Sequence, residues 1–224
     1  MKLFRIACLV AVSFAFLRNV SGQSFVNLNF EQSIVVSSNY DSEFGIYIGT
    51  ANVLGWTGYL GANKETAILY NNFTLGNAGI DVVGQGVGAI EGQFTLVLQP
   101  GFDPFGSGQN VDASMSQTGR VPLYAQSLQF KASIFSSFSV SLGGQNLSLI
   151  PLGTGANYTL YGADISQFAG QVETLAITAL AAPNSVDYFD SIVFSPSAVP
   201  EPSALSLFGI CVLFFGWRLK RSNI

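Results

Sequence analysis

Residues 140–149, Val-Ser-Leu-Gly-Gly-Gln-Asn-Leu-Ser-Leu, have the pattern that decides the fold class. Apolar and polar residues alternate on both sides of a Gly143-Gly144-Gln145 turn. Because successive side chains of an extended chain point to opposite faces, this alternation places the apolar side chains on one face. Glycines favour the tight turns that join antiparallel strands. The stretch therefore predicts a β-hairpin with one apolar face.

The same alternation recurs between residues 23 and 199, where helical periodicity is nearly absent. Residues 26–30 alternate in this way. In the stretch that begins at Phe94, Leu96 and Leu98 share one face and Val97 places an apolar group on the other. About ten short strands with frequent turns predict an all-β fold, a single β-sandwich of the jelly-roll type. The glycine-rich segment 84–88 lacks dinucleotide-fingerprint spacing and predicts a hairpin connection.

The composition of the 224 residues excludes several classes of activity. There is no histidine, which rules out Ser-His-Asp and Cys-His catalysis and any zinc site that needs imidazole. Between residues 23 and 199, twelve acids face only three bases, Lys64, Arg120 and Lys131, which disfavours nucleic-acid binding. Both cysteines lie in the terminal apolar runs, so the body is predicted to have no disulfide or redox chemistry.

The N-terminal residues 1–22 have the organisation of a signal peptide. Lys2 and Arg5 are followed by an apolar stretch at 6–17, which is too short to span a bilayer, and by small residues before Gln23. This order predicts export and removal of the segment by signal peptidase. The alternative is a buried N-terminal helix.

The C-terminal residues begin with Pro200-Glu201-Pro202 and continue into an uncharged run at 204–217. As a helix this run is about 21 Å long at about 1.5 Å per residue, short of the roughly 30 Å hydrocarbon core of a bilayer. It therefore spans a membrane only if the bilayer thins or the flanking side chains extend to the interface.

Arg218, Lys220 and Arg221 follow the uncharged run directly. A basic cluster after a membrane segment stays in the cytoplasm, so everything before Pro200 is predicted to lie on the far side. The N-terminal signal predicts the same topology from independent residues. The residues between these two ends, 23–199, are long enough for one domain with a core.

The three-part tail at 200–224 resembles the PEP-CTERM sorting signal of Gram-negative bacteria. The resemblance implies recognition and cleavage near the Pro-Glu-Pro motif by exosortase, a membrane-embedded processing enzyme. It also implies a role in exopolysaccharide and surface assembly, at the cell envelope or in the extracellular matrix, with membrane contact only through the helix at 204–217 before processing. An ordinary tail anchor is the alternative.

Four pieces of the body resemble the galactose-binding-like superfamily, which includes many carbohydrate-binding modules. They are an opening strand, a tight turn, a turn before the penultimate strand and a closing strand, at 25–31, 54–57, 164–171 and 187–192. The resemblance implies that the first and last strands lie together and share a structural calcium ion held by Glu31 and Asp190. The alternative for these two carboxylates is a solvated position at strand ends.

Aromatic residues in glycine-rich or asparagine-rich connections are the candidates for sugar binding, because flat rings stack on pyranose faces. The candidates are Trp56, Tyr59, Tyr70, Phe102 and Phe105. The alternative is that these rings close the ends of the sandwich.

The body is poor in residues that perform chemistry, and this decides between classes of function. A glycosidase needs two carboxylates about 5–9 Å apart, yet the body has one arginine, Arg120, and one tryptophan, Trp56, to surround them. We expect a non-catalytic surface or matrix protein that requires no cofactor and has exosortase, signal peptidase and polysaccharide as partners. The alternative is a specific carbohydrate-binding module at the same location.

Overall fold

The computed structural model of the protein describes residues 23–182 and 184–199. The signal peptide predicted at 1–22 and the sorting segment predicted at 200–224 lie outside these residues. Within the described part, no helix has the length and apolar character needed to cross a membrane.

The described chain is built from strands, with one 3-10 helix at Ser166–Phe168. The strands are β1 Ser33–Asp41, β2 Ile46–Val53, β3 Thr57–Leu60, β4 Asn63–Glu65, β5 Ile68–Tyr70, β6 Gly79–Gly84, β7 Phe94–Gln99, β8 Gly101–Phe102, β9 Asn110–Val111, β10 Ala113–Arg120, β11 Ser127–Ser133, β12 Phe138–Leu142, β13 Gln145–Asn146, β14 Ile150–Thr154, β15 Thr159–Asp164, β16 Val172–Ala179 and β17 Asp187–Ser195.

These strands form two large sheets and one small ribbon. The nine-stranded sheet has the order β1-β2-β5-β6-β7-β17-β11-β15-β14, and the six-stranded sheet has the order β13-β12-β16-β10-β3-β4. All neighbouring strands are antiparallel except β5 and β6, which are parallel. β8 and β9 pair as a separate hairpin. The protein is therefore all-β, with the layered sheets of a β-sandwich and an architecture compatible with a jelly roll.

The main core consists of alternate residues of both sheets. In β10, Ala113 and Met115 are fully buried, while Ser114 between them is only half-buried. In β7, Leu96 and Leu98 join the same apolar cluster. This is the burial expected of sheets that pack face to face, since side chains alternate between the two faces of a strand.

Several local predictions are confirmed. Residues 140–146 form the β12–β13 hairpin, in which Gly143 and Gly144 have φ angles of 59° and 75°. Residues 84–88 lie in the connection between β6 and β7, which pair as antiparallel neighbours. The predicted closing strand begins at Asp187, the first residue of β17.

The opening strand predicted at 25–31 is wrong. Asn27 and Phe30 have φ angles of 50° and 60°, and the N–H of Phe30 donates to the carbonyl of Asn27, so the chain turns here. The first strand begins later, at Ser33. Phe30 is nevertheless fully buried, which explains why its apolar side chain fitted an alternating pattern.

The first and last strands are also not neighbours, because β17 lies between β7 and β11 while β1 pairs with β2 at one edge. The turn segment before β1 reaches β17 instead. The N–H of Ile192 donates to the carbonyl of Leu28 at 2.9 Å, and the rings of Phe25 and Phe194 lie 5.0 Å apart.

Candidate ligand and sorting sites

Glu31 is held by the connection that precedes β7. Its Oε1 accepts hydrogen bonds from the backbone N–H of Gln93 at 2.9 Å and of Phe94 at 3.1 Å, and Oε2 accepts from Gln93 at 3.0 Å. Both carboxylate oxygens therefore have protein donors, and the side chain ties the turn before β1 to the β6–β7 connection.

Asp190 is held by the same connection but is almost completely buried, at 1% exposure. Its Oδ2 accepts from Thr95 Oγ1 at 2.5 Å and from the N–H of Glu91 at 3.2 Å, and Oδ1 accepts from the N–H of Ser191 at 2.6 Å. Burial raises the pKa of Asp190 to about 6, and the negative charge of Glu31 adds to the rise. The two predicted calcium ligands therefore lie close enough for their charges to interact.

The hydrogen-bond donors around Glu31 and Asp190 do not fit a calcium site. Calcium takes six to eight oxygen ligands, whereas the oxygens of these carboxylates accept hydrogen bonds from N–H and O–H groups of the protein. Within residues 23–182 and 184–199, no group of three or more acids or cysteines is placed to hold a metal ion. Calcium binding by these two residues stays a prediction that their surroundings do not support.

The predicted sugar-binding role of Trp56 does not agree with its position. The side chain is 9% exposed, its ring centroid lies 5.5 Å from that of Phe30, and its Nε1 donates to the carbonyl of Asn27 at 3.1 Å. The residue before Trp56 is a glycine that its position requires. Gly55 has a φ of 81°, and a Cβ there would lie 2.4 Å from Val26 Cγ2, so both the backbone conformation and the space favour glycine.

The other predicted rings lie in different settings. Tyr59 is half-buried in β3 of the six-stranded sheet, and Tyr70 is half-buried in β5 of the nine-stranded sheet. Phe102 and Phe105 are exposed, at 54% and 56%, on the β8–β9 hairpin.

Asp103 organises the turn that carries Phe105. Its Oδ1 accepts from the N–H of Phe105 at 2.9 Å, and its Oδ2 accepts from the N–H of Ser107 at 3.1 Å. Hydrogen bonding, first from the side chain of Ser107 and then from the N–H of Phe105, lowers the pKa of Asp103. The turn thus presents an exposed ring on a hydrogen-bonded loop.

Sequence reasoning missed a cleft on the outer face of the nine-stranded sheet. Its volume is about 370 Å³, and it lies between residues 73–77, which connect β5 to β6, and residues 184–188, which lead into β17. Its lining includes Phe73, Leu75, Asn77, Gln99, Asn184 and Tyr188. The two walls are far apart in the chain, so no local pattern could have predicted that they meet.

Two buried polar side chains, Asp81 and Gln99, lie on the sheet face beneath the cleft. Asp81 and Tyr188 are both paired with Val97 in the sheet register, so all three share one face, and Gln99 follows two residues later on that face. Gln99 and Asp81 are 2% and 0% exposed. Their Nε2 and Oδ1 atoms have no hydrogen-bond partner in the described part of the protein.

The pKa values of this region reflect burial. Desolvation raises the pKa of Asp81 to about 7, because its hydrogen bonds to backbone N–H groups such as that of Asn72 compensate only in part. Burial also raises the pKa of Tyr188, and the charge of Asp81 adds to that shift. The carboxyl group of Asp81 therefore lies close to a residue that lines the cleft.

The last described residues are attached to the sandwich. The carbonyl of Ser197 accepts a hydrogen bond from Ser127 Oγ at 2.7 Å. Val199 approaches β15 so closely that a Cβ on Gly162 would lie 2.6 Å from Val199 Cγ1. The chain is thus in contact with the body up to the residue before Pro200.

Comparison with known protein families gives a match at this end of the chain. The description "PEP-CTERM protein-sorting motif" belongs to a family whose profile matches residues 198–221. The match includes Pro200, Glu201, Pro202 and the basic residues Arg218, Lys220 and Arg221, which lie outside the described residues. No curated protein matches the chain. The chain therefore carries a PEP-CTERM sorting motif, which implies an exported protein that is sorted and processed by exosortase.

Proposed function

We propose that the body is a non-catalytic surface or extracellular-matrix protein that exosortase delivers into an exopolysaccharide setting. The observation that carries this proposal is the sorting motif, which starts at residue 198 in contact with an all-β body. Signal peptidase would remove residues 1–22 and exosortase would cut near Pro200. The proposed function requires no cofactor.

The state of the acidic residues supports a non-catalytic role. Asp81 and Asp190 have the raised pKa values that a general acid needs, but they are 0% and 1% exposed and neither lines the cleft between residues 73–77 and 184–188, so a polymer substrate has no access to them. Asp187 is also buried and accepts hydrogen bonds from the N–H groups of Phe135 and Ser136 at 2.7 and 3.0 Å. These carboxyl groups therefore fit roles in holding loops.

Mass spectrometry of the protein from its native cells tests this proposal, since it reports both cut sites and any attached group. We expect a mature chain that starts near Gln23 and ends near Pro200, recovered with the envelope or the exopolysaccharide. Deletion of the exosortase should leave the C-terminal segment in place. Recovery of the chain from Met1 to Ile224 in the cytosol of normal cells would contradict the proposal.

A carbohydrate-binding module is the second candidate function. The exposed rings of Phe102 and Phe105 on the β8–β9 hairpin favour it, because exposed aromatic rings provide stacking surfaces for sugars. A glycan array tests it with the exported protein, the variant Phe105→Ala and the control Tyr124→Ala, which removes a ring that is 61% exposed outside the hairpin and the cleft. Loss of binding only in Phe105→Ala supports this candidate, and absence of glycan binding in the unmodified protein refutes it.

A further inference from the structure

We propose that the cleft between residues 73–77 and 184–188 binds a neutral sugar of one or two residues. This inference deepens the second candidate function and rests on it, because it names the site and the charge class of the ligand. Four features of the cleft carry it: its size, its unpartnered donor, its uncharged aromatic lining and the close fit of its walls.

The volume suits a small ligand. At about 370 Å³ the cleft lies near the lower end of the range of about 300–1,000 Å³ that is typical of small-molecule sites. It is also open to solvent along one side of the nine-stranded sheet, since Leu75 and Asn184 at its rim are exposed.

Gln99 supplies a buried polar group without a partner. Its Oε1 accepts a hydrogen bond from the N–H of Thr74 at 2.9 Å, which fixes the orientation of the amide. Its Nε2 then has no acceptor within the described residues, although an unpaired buried donor costs about 1–3 kcal/mol. A hydroxyl oxygen of a ligand in the cleft would accept this hydrogen bond.

The rest of the cleft lining favours uncharged ligands over charged ones. No charged side chain of the described residues lines the cleft, so neither a carboxylate nor a phosphate finds a cation there. Phe73 and Tyr188 contribute aromatic rings, and Asn77 and Asn184 contribute amides that both donate and accept. Aromatic rings can stack on the apolar face of a pyranose, and amides can hydrogen-bond to its hydroxyl groups. This lining therefore matches a neutral sugar.

The two walls meet closely at Gly76. Its φ of 108° requires glycine, and a Cβ at this position would lie 2.8 Å from Asn184 Oδ1. Leu75 and Asn184 also have positive φ angles, of 51° and 55°. Backbone strain of this kind persists only where the surroundings hold it, and it concentrates at binding sites.

The cleft also adjoins one of the exposed rings that the sequence singled out. The N–H of Phe102 donates to the carbonyl of Gly76 at 2.9 Å, and the N–H of Ala78 donates to the carbonyl of Phe102 at 2.8 Å. Phe102 is therefore hydrogen-bonded to the wall of the cleft.

The test is calorimetric titration of the exported protein with glucose, galactose, N-acetylglucosamine and their disaccharides, alongside glucuronic acid. The cleft variants are Phe73→Leu, Asn77→Ala and Gln99→Met, and the control is Tyr124→Leu, which removes a ring that is 61% exposed outside the cleft. Asn77 is exposed, so its variant keeps the fold even if Gln99→Met does not. Thermal unfolding verifies that each variant is folded.

We expect at least one neutral sugar to bind, with a loss of about tenfold or more in affinity in the folded cleft variants and no change in Tyr124→Leu. Sugar binding that survives in every cleft variant but disappears in Phe105→Ala overturns the cleft and leaves the second candidate function standing. Tighter binding of glucuronic acid than of any neutral sugar overturns the charge class. Absence of binding to any sugar overturns both the cleft and that candidate.

Discussion

The two faces of β6 and β7 are both buried, but they are buried for different reasons. On the inner face, Ile80, Leu96 and Leu98 pack into the core between the sheets. On the outer face, Asp81 and Gln99 are just as inaccessible. The inner face needs only apolar volume, whereas each polar group of the outer face needs a partner.

This difference shows where function can reside in the sandwich. An apolar face that is filled by the opposite sheet has no unmet hydrogen bonds. The outer face retains Gln99 Nε2 and Asp81 Oδ1 without partners in the described part of the chain, beside a cleft. The comparison therefore predicts that the inner face responds to changes of volume, and the outer face to changes of polarity and pH.

Removal of volume from the inner face should have the largest effect. Leu98→Ala deletes a fully buried side chain, and we expect it to lower the free energy of unfolding by about 2–5 kcal/mol through lost burial and a residual cavity. Chemical denaturation measures the effect. Phe102→Ala is the control, since its ring is 54% exposed, and a loss of similar size there would break the comparison.

Asp81→Asn should change the pH dependence of stability. The folded protein keeps the proton of this carboxyl group up to pH about 7, whereas an unfolded chain releases it near the ordinary pKa of 3.8. Between these values the unfolded state binds fewer protons, so the free energy of unfolding falls as the pH rises and stays low above the folded pKa.

The asparagine cannot ionise, and its amide oxygen can still accept the hydrogen bond from Asn72 that Oδ2 accepts. We expect a gain of about 2 kcal/mol at alkaline pH and almost none at acidic pH, because the ionisation penalty disappears while a polar group stays buried. Denaturation at several pH values measures it. An equal effect at acidic and alkaline pH would show that burial of the charge is not the cause.

Thr95→Val tests the outer face by removing one hydroxyl. Thr95 Oγ1 donates to Asp190 and accepts from the N–H of Ile90 at 2.8 Å, so both would lose a partner. We expect a loss of about 1–2 kcal/mol in denaturation, smaller than that of Leu98→Ala. Thr118→Val is the matched control on an exposed pair of hydroxyls, and an equal loss in the control would contradict the argument.

Calcium removal should have the smallest effect. The oxygens of Glu31 and Asp190 already accept hydrogen bonds from the protein, so we expect the same Tm with calcium and with a chelator. Thermal unfolding at matched ionic strength measures this. A rise in Tm with calcium that disappears in Asp190→Asn would restore the calcium site that the resemblance implies.

Where a local pattern was enough, the sequence predicted the fold well. The Gly143-Gly144 hairpin formed as expected because both its strands and its turn lie within a few residues. The strand predicted at 25–31 was wrong because these residues form a turn with positive φ angles. Phe30 is buried in that turn, and a buried apolar residue gives the same sequence pattern as an inward-facing residue of a strand. Trp56 is buried, in agreement with the alternative that these rings close the sandwich, and the residue types alone did not decide between the two possibilities.

The sites were less predictable than the fold. Gln99 is the last residue of β7, a strand that its apolar residues alone would predict. The residues near Gln99 in the chain do not show that Thr74 orients its amide. The sequence did single out Phe102, whose exposed position could be inferred from its loop, but not the cleft to which Phe102 is hydrogen-bonded.

The all-β class and the sorting address follow from the order of residues along the chain, because strand alternation, turns and the three-part tail are local patterns. Which carboxyl groups are buried, which rings reach solvent and where a cleft opens follow from packing. Residues 73–77 and 184–188 meet only when β6, β7 and β17 become neighbours in one sheet. Contacts between distant segments have no local signature, so the three-dimensional arrangement had to reveal them.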